Sequence, residues 1–437
     1  MEINNWNIEL TGSLTFPFTV LVFFIFLISC SSNTSINKNI NMCDTLKSVG
    51  YNNIYEAFRG NDLEYLSKLD LKKDEIVLLN TLNLINYLKL DSAEILLKTL
   101  ISCSKDDSIY FYSMKILFDL YFFKSDWSKL LNQDSLANRS LFDEDNIMLL
   151  ASAYNSISKE NVVYNEFESI IDFRFSPSRC PIVPVLVNGR LRYFWFDTGA
   201  NYSVISSDIA SECNVEPIIF KYSKALTSTS RKINIYPSYI KNLMVGNINY
   251  FNHPVVIVHD FDLKMKMFGN KNMKIDGIIG WKAIQKMNLT IDYINKKIII
   301  RRPIDSNFTS RNLYWLGCPI VKLTAMNGVR LNFGLDLGSE TTAITNSIFK
   351  KISFNKIYDQ TKQKGSAGGW VYFNARMVSN LGVNIADHFV EFNNIGTTFQ
   401  IPHLFISLDG ILGSDFISEG ITRIDLTNGI FDFSLKN

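Results

Sequence analysis

Charge of one sign is what this sequence most plainly lacks. Its 44 lysines and arginines face 42 aspartates and glutamates, so no overall field draws the chain toward a polyanion, and no basic stripe runs along any segment. Histidine is scarce, at 4 in 437 residues, and the 6 cysteines form no CxxC pair or other metal-ligand spacing, which excludes the common zinc modules. His253 and His259 lie near Asp260 and Asp262, but no helical spacing organises them, so they read as a solvated turn; His388 and His403 have no obvious partner. Neither GxSxG, HExxH nor a phosphate-cradling glycine loop occurs, which removes the usual rival hydrolase and nucleotide classes. The expectation is a protein with no metal, no cofactor and no nucleic-acid partner.

The N-terminus carries an apolar stretch, Ser13 to Cys30, of signal-peptide length and shorter than the roughly 20 residues of a membrane-spanning helix. It ends in Leu27-Ile28-Ser29-Cys30, which resembles the bacterial lipobox. That resemblance implies a lipoprotein signal peptide over 1–30, lipidation at Cys30 and a flexible polar tether over 31–43. It places the chain in the bacterial cell envelope, lipid-anchored and facing the periplasm or cell surface. The segment before the apolar run has Glu2 and Glu9 but no lysine or arginine, so a plain membrane anchor or a misplaced start codon stays open. The other cysteines read mostly as small buried hydrophobes.

From 44 to 170 the pattern is helical, with apolar residues three and four apart, as in Ile76, Leu79, Leu82, Ile85 and Leu88. Polar breaks at Gly60-Asn61-Asp62, Lys89-Leu90-Asp91, Lys124-Ser125-Asp126 and Ser158-Lys159-Glu160 recur roughly every 34 residues, a period that resembles tetratricopeptide-type hairpins; an irregular helical bundle is the alternative. A protein partner could dock on this region.

Past Arg179 the texture becomes short β-rich runs, and the chain repeats itself. "CPIVPVLVNGRLRYFWFDTGANYSVIS" begins at Cys180 and "CPIVKLTAMNGVRLNFGLDLGSETTAIT" at Cys318. In each, an Asn-Gly hairpin turn precedes an aspartate by nine residues, from 188 to 197 and from 327 to 336. "DGIIGWKAI" from Asp276 is matched by "DGILGSDFI" from Asp409, and Asp292 in "TIDY" by Asp425 in "RIDL". These landmarks define two copies of one β fold, 175–305 and 312–437, each delivering one carboxylate from the end of a buried strand into a glycine turn. Asp276, Asp409, Asp292 and Asp425 read as structural.

"FWFDTGA" with "GIIG", and more loosely "FGLDLGS" with "GILG", resemble the signature of the retropepsin-like aspartic proteases. The resemblance implies a multidomain α plus all-β chain, a helical-hairpin region followed by two tandem acid-protease β-barrel lobes. It implies an aspartic endopeptidase acting on an extended polypeptide, with Asp197 and Asp336 meeting at a pseudo-two-fold axis within a monomer. Thr198, Gly199 and Ala200 with Leu337, Gly338 and Ser339 are the loops that hold the acids. Ile278, Ile279 and Gly280 with Ile411, Leu412 and Gly413 are the segments that support them. "KGSAGGWVYF", with Gly368, Gly369, Trp370 and Tyr372, is the candidate flap, or else an ordinary surface loop.

The second copy departs from the signature at Leu337, where the family's threonine hydroxyl bonds across to the opposite loop. That departure keeps a second reading open, a catalytically degenerate lobe retained for peptide binding or assembly.

Overall fold

The computed structural model describes residues 51–133, 144–263, 272–306, 310–399, 404–417 and 420–435, plus the backbone of a few short strand segments elsewhere. Cys30, the tether apart from Thr34–Ser35, and most of the apolar N-terminal stretch lie outside the described residues.

Seven helices come first: α1 (Ile54–Arg59), α2 (Leu63–Leu66), α3 (Lys73–Asn86), α4 (Leu90–Cys103), α5 (Asp107–Lys124), α6 (Trp127–Gln133) and α7 (Glu144–Asn155). Side chains that bond free backbone N–H groups start several of them: Asn53 accepts from Glu56, Asp62 from Tyr65, and Asp106 from Ser108 and Ile109. Asn61, Leu88 and Ser125 have left-handed backbones at or beside three of the polar breaks, so each break reverses the chain. The buried stripe of α3 is Leu78, Leu82 and Ile85, while Ile76 is 46% exposed; the helix is rotated slightly from the face that the apolar spacing suggests. The helical pattern stops sooner than 170, because Asn161–Tyr164 (β1) and Glu168–Asp172 (β2) pair with strands of the β region.

The first lobe contains β3 (Pro181–Val187), β4 (Arg190–Phe196), β5 (Ser203–Ser206), β6 (Ser223–Leu226), β7 (Lys232–Val245), β8 (Ile248–Val258), β9 (Gly277–Ile279), β10 (Asn288–Asp292) and β11 (Lys297–Arg301). The Asn188-Gly189 turn takes positive φ at both residues and folds β4 back on β3. The three-residue β9 then slots between β4, which it parallels, and β5, which it opposes.

The second lobe repeats this with β12 (Pro319–Ala325), β13 (Arg330–Leu335), β14 (Ala343–Ile344), β15 (Ile357–Ser366), β16 (Gly369–Ile385), β17 (His388–Gly396), β18 (Gly410–Leu412), β19 (Gly420–Asp425) and β20 (Ile430–Leu435). Here β18 parallels β13 and opposes β14. The lobes are joined by one five-stranded sheet in which β10 pairs antiparallel with β19, Asn288 opposite Asp425 and Asp292 opposite Ile421. Asp292 caps its hairpin through Ile294 and Asn295, and Asp425 does the same through Asn428, as structural acids should. Asp409 is also structural: buried, it receives Lys351 at 2.8 Å and the Asn332 N–H.

The helices are not a free arm. They lie across the back of both lobes. Arg59 exchanges hydrogen bonds with Phe405 and Ser407, and Asn332 donates to the Gly60 carbonyl. On the other lobe Tyr154 donates to the Val255 carbonyl at 2.8 Å. Lys282, from the "GWKAI" segment, is buried and donates to the carbonyls of Phe122 and Phe123 and to the Ser125 hydroxyl, capping the C-terminal end of α5. Burial pulls Lys282 down to about 7, but three oxygen acceptors at a helix C-terminus favour its charged form.

Candidate active site

Each acid stands where its strand ends. Asp197 follows β4 and Asp336 follows β13, and each backbone N–H donates to a supporting strand: Asp197 to Ile279 and Asp336 to Leu412, both at 3.0 Å. Two residues further along each supporting segment the symmetry continues, Trp281 donating to the Ala200 carbonyl and Ser414 to that of Ser339. Gly280 and Gly413 permit this approach. A Cβ on Gly280 would stand 2.3 Å from the Tyr202 carbonyl oxygen, and one on Gly413 2.5 Å from Thr341 backbone. Ile278, Ile279, Ile411 and Leu412 are buried beneath the loops, and none carries a reactive group.

The two carboxyls meet. The charge of Asp197 acts on Asp336, and a Cβ on Gly338, two residues after Asp336, would fall 2.4 Å from the Asp197 carboxyl carbon. Asp197 Oδ1 accepts from Gly199 at 2.8 Å; Asp336 Oδ1 accepts from Gly338 at 3.0 Å and Ser339 at 3.2 Å. The Oδ2 atoms of both are buried and left unpaired by the described residues. Burial pushes Asp197 up to about 7, and it pushes Asp336 well above the carboxylate range, where the charge of Asp197 raises it further. Two like charges this close in a dry site cannot both persist, so the pair holds one proton between them.

What stands in for the missing threonine is now visible. Thr198 makes its half of the crossing network, donating to the Leu335 carbonyl at 3.2 Å and accepting the Leu337 N–H at 2.8 Å. The position related to Leu335 is Phe196, whose carbonyl gets no hydroxyl from Leu337. The Cys180 thiol reaches it instead, Sγ to oxygen 3.4 Å. Leu337 is fully buried in the core shared by the lobes, so packing replaces polar contact on that side. A thiol is a weak donor, so the substitute is partial.

Two flaps cover the pair. The expected hairpin forms from β15 and β16, turning at Ala367-Gly368 with positive φ at Gly368 and Gly369. Trp370 packs over Gly365, whereas Tyr372 is 73% exposed on the outer side. The first lobe's flap, β6 and the start of β7 around Thr227–Arg231, escapes sequence reading because it has no glycine; the polar run "TSTSR" between alternating residues is its one signal. The flap tips touch. Thr229 and Ser366 hydroxyls lie 2.7 Å apart, and Arg231 donates to the carbonyls of Gly368 and Trp370.

Behind the first acid loop, Tyr202 is buried among Phe122, Trp127 and Tyr154 of the helices. His253 is not in a solvated turn. It is fully buried in β8, bonded to Glu160 through Nδ1 at 2.5 Å and to Ser203 through Nε2 at 2.9 Å, and Ser203 accepts the Gly280 N–H. This acid–histidine–serine set ties the end of the helical region to the support of Asp197, and its serine is sealed from solvent. His259 is exposed, and no metal-binding cluster occurs among the described residues.

Residues 183–275 match a family model described as gag-polyprotein putative aspartyl protease. Among solved structures, the chain is similar to a retropepsin-like aspartic protease from Rickettsia conorii, at 16% identity over 33% of this chain and 93% of that one, with a TM-score of 0.22. No curated protein matches the sequence. The family match falls on the first lobe, and the second lobe repeats its strand order around its own aspartate. Over residues 183–275, within the first lobe, the chain is similar to the aspartyl proteases that this family model describes.

Proposed function

We propose that the protein is an aspartic endopeptidase that hydrolyses an extended polypeptide with a water activated by Asp197 and Asp336. One observation carries this reading: two buried carboxyls from related lobes face each other beneath a pair of flaps. The ionised carboxylate of the pair takes a proton from water as the water oxygen bonds to the scissile carbonyl carbon, and the protonated carboxyl gives its proton to the carbonyl oxygen. The tetrahedral diol then collapses: the C–N bond breaks as the leaving amine takes a proton from one carboxyl, and a diol hydroxyl returns a proton to the other carboxylate, so the pair again holds one. No metal and no covalent intermediate is needed. Full chain incubated with denatured protein yields new termini, and Asp197→Asn and Asp336→Asn abolish them; cleavage by either variant at the parental rate overturns the reading.

Leu337 favours a second reading, a peptide-binding pseudoprotease. It predicts that the parent binds extended peptides and never cuts them. The lipobox-like ending at Cys30 supports a lipid-anchored location, tested by incorporation of labelled palmitate that Cys30→Ala removes.

A further inference from the structure

Each acid loop is braced by a hydroxyl, and the two lobes complete that brace differently. In the second lobe Thr342, six residues after Asp336, accepts the Gly413 N–H at 3.1 Å and donates its hydroxyl to Asp415, two residues beyond that glycine, at 2.6 Å. The brace closes within its own lobe. In the first lobe Ser203, six residues after Asp197, accepts the Gly280 N–H at 3.2 Å in the same way, but two residues beyond Gly280 stands Lys282, which has no acceptor to offer and is engaged with the end of α5. The Ser203 hydroxyl is met by His253 instead.

His253 lies on β8, which pairs with β1 on one side and β5 on the other, so its ring spans from the exit of the helical region to the start of β5. Its Nδ1 meets the Glu160 carboxylate at 2.5 Å and so carries the ring proton, which leaves Nε2 to accept from Ser203 at 2.9 Å. His253 and Ser203 are fully shielded from water, and the Glu160 side chain is only 13% exposed. The far end of the relay has no slack either. Gly280 stands between Ile279, whose carbonyl takes the Asp197 N–H, and Trp281, whose N–H goes to Ala200, with the Tyr202 carbonyl closed against it. A hydroxyl that steadies the first acid is thus oriented from outside the lobe, by a residue between α7 and β1, whereas its twin in the second lobe is oriented from within.

We propose that His253 is a positioning residue for Asp197, acting through Ser203 and Gly280, and that Glu160 makes this brace depend on the seating of the helical region against β8. The proposal rests on the acid pair being catalytic, and its test reads loop position as well as turnover. Full chains carrying Ser203→Ala, His253→Leu, His253→Gln, Glu160→Leu, and Ser203→Ala together with His253→Leu are compared with the parent in peptide cleavage and in amide exchange at Asp197–Ala200 and Asp336–Ser339. Ser203→Ala, His253→Leu and Glu160→Leu each lower kcat about tenfold or more with KM within about twofold of the parent, and speed exchange in the first acid loop alone. The double variant is no worse than either single, because both changes cut one relay. His253→Gln, whose amide oxygen accepts from Ser203, returns both readouts toward the parent. A folded His253→Leu chain with the parental kcat and parental exchange overturns the proposal, as do equal acceleration in both acid loops and losses that add in the double variant. Parental behaviour of Glu160→Leu overturns the helical link. Should His253→Leu fail to fold, Ser203→Ala, which removes a single oxygen, decides by the same two readouts. If the parent cuts nothing, hydrolysis falls while the contrast in exchange still decides the brace; if the parent cuts and the contrast is absent, the brace falls and hydrolysis stands.

Discussion

Thr198→Val isolates the half network that holds the lobes' acid loops together. Valine keeps the volume of threonine and removes only the hydroxyl, leaving the Leu335 carbonyl and the Leu337 N–H without that partner in a site fully shielded from water. Each buried group so orphaned costs about 1–3 kcal/mol, for a total of about 2–4 kcal/mol after the relief of no longer burying a hydroxyl. At about 2–4 °C per kcal/mol for a unit of this size, the melting temperature drops by roughly 4–16 °C. Thr198→Ser is the control. It keeps both hydrogen bonds and loses one methyl, worth about 0.8 kcal/mol, so it melts well above the valine variant. In peptide cleavage the order repeats, with kcat of Thr198→Val down by about tenfold or more because the carboxyls lose their fixed spacing. Differential scanning calorimetry of the two variants settles the matter: a valine variant as stable as the parent, or more stable than the serine variant, refutes the argument that this hydroxyl is the link between loops.

Four further outcomes follow from the same geometry. Cys180→Ala removes the donor to Phe196 and lowers kcat, while Cys180→Ser restores it with a stronger donor, a contrast absent if the thiol is only filler. Leu337→Thr supplies the second hydroxyl but empties a buried apolar site; loss of burial, about 2 kcal/mol, outweighs one gained hydrogen bond of about 1 kcal/mol, so thermal melting falls even if cleavage quickens. The raised acids make the folded chain bind protons that the unfolded chain has released, so their contribution to stability is present below about pH 4 and lost as pH rises through about 7; Asp197→Asn with Asp336→Asn therefore melts higher than the parent at pH 7 by a margin that shrinks at pH 4. Lys282→Met frees the end of α5, read as faster amide exchange at Phe122–Ser125 with β4 unchanged.

The acid loops were legible because the chain writes them twice. Asn-Gly turns, buried strands ending in Asp-x-Gly and the later Gly-x-x-Gly are local patterns with local causes, and the structure assembles them as the repeat suggests. The glycine-bearing flap was legible for the same reason. The first flap was not, since its turn is made by threonines and serines, and its left-handed position is filled by Ser230 instead of a glycine. His253 was misread because its partners, Glu160 and Ser203, are 93 and 50 residues away, and nothing in the neighbouring sequence marks a buried polar site. The start of the β region was hidden likewise: β1 and β2 are short, half-exposed strands whose only reason to be strands is a partner edge on β8 and β11.

Duplication within one chain explains why the site is asymmetric in the particular ways it is. In a homodimer every substitution appears on both sides of the axis, so a lobe that loses its threonine loses both hydroxyls, and the loops have nothing left to cross with. Fusion lifts that constraint. Leu337 can become core while Thr198 carries the link alone, and Cys180 can be recruited to a carbonyl whose twin needs no help. The same freedom lets related positions take opposite charges, Lys282 gripping a helix end while Asp415 accepts from the backbone and hydroxyl of Thr342 beside the acid loop. It also lets one flap alone carry Lys364. A cation near only one of two coupled acids breaks their equivalence, because it favours the charged form of Asp336. Removing it by Lys364→Met therefore raises the proton affinity of the pair, and the pH–rate profile of the variant shifts its alkaline limb upward; an unmoved limb refutes the view that this lysine acts on the acids.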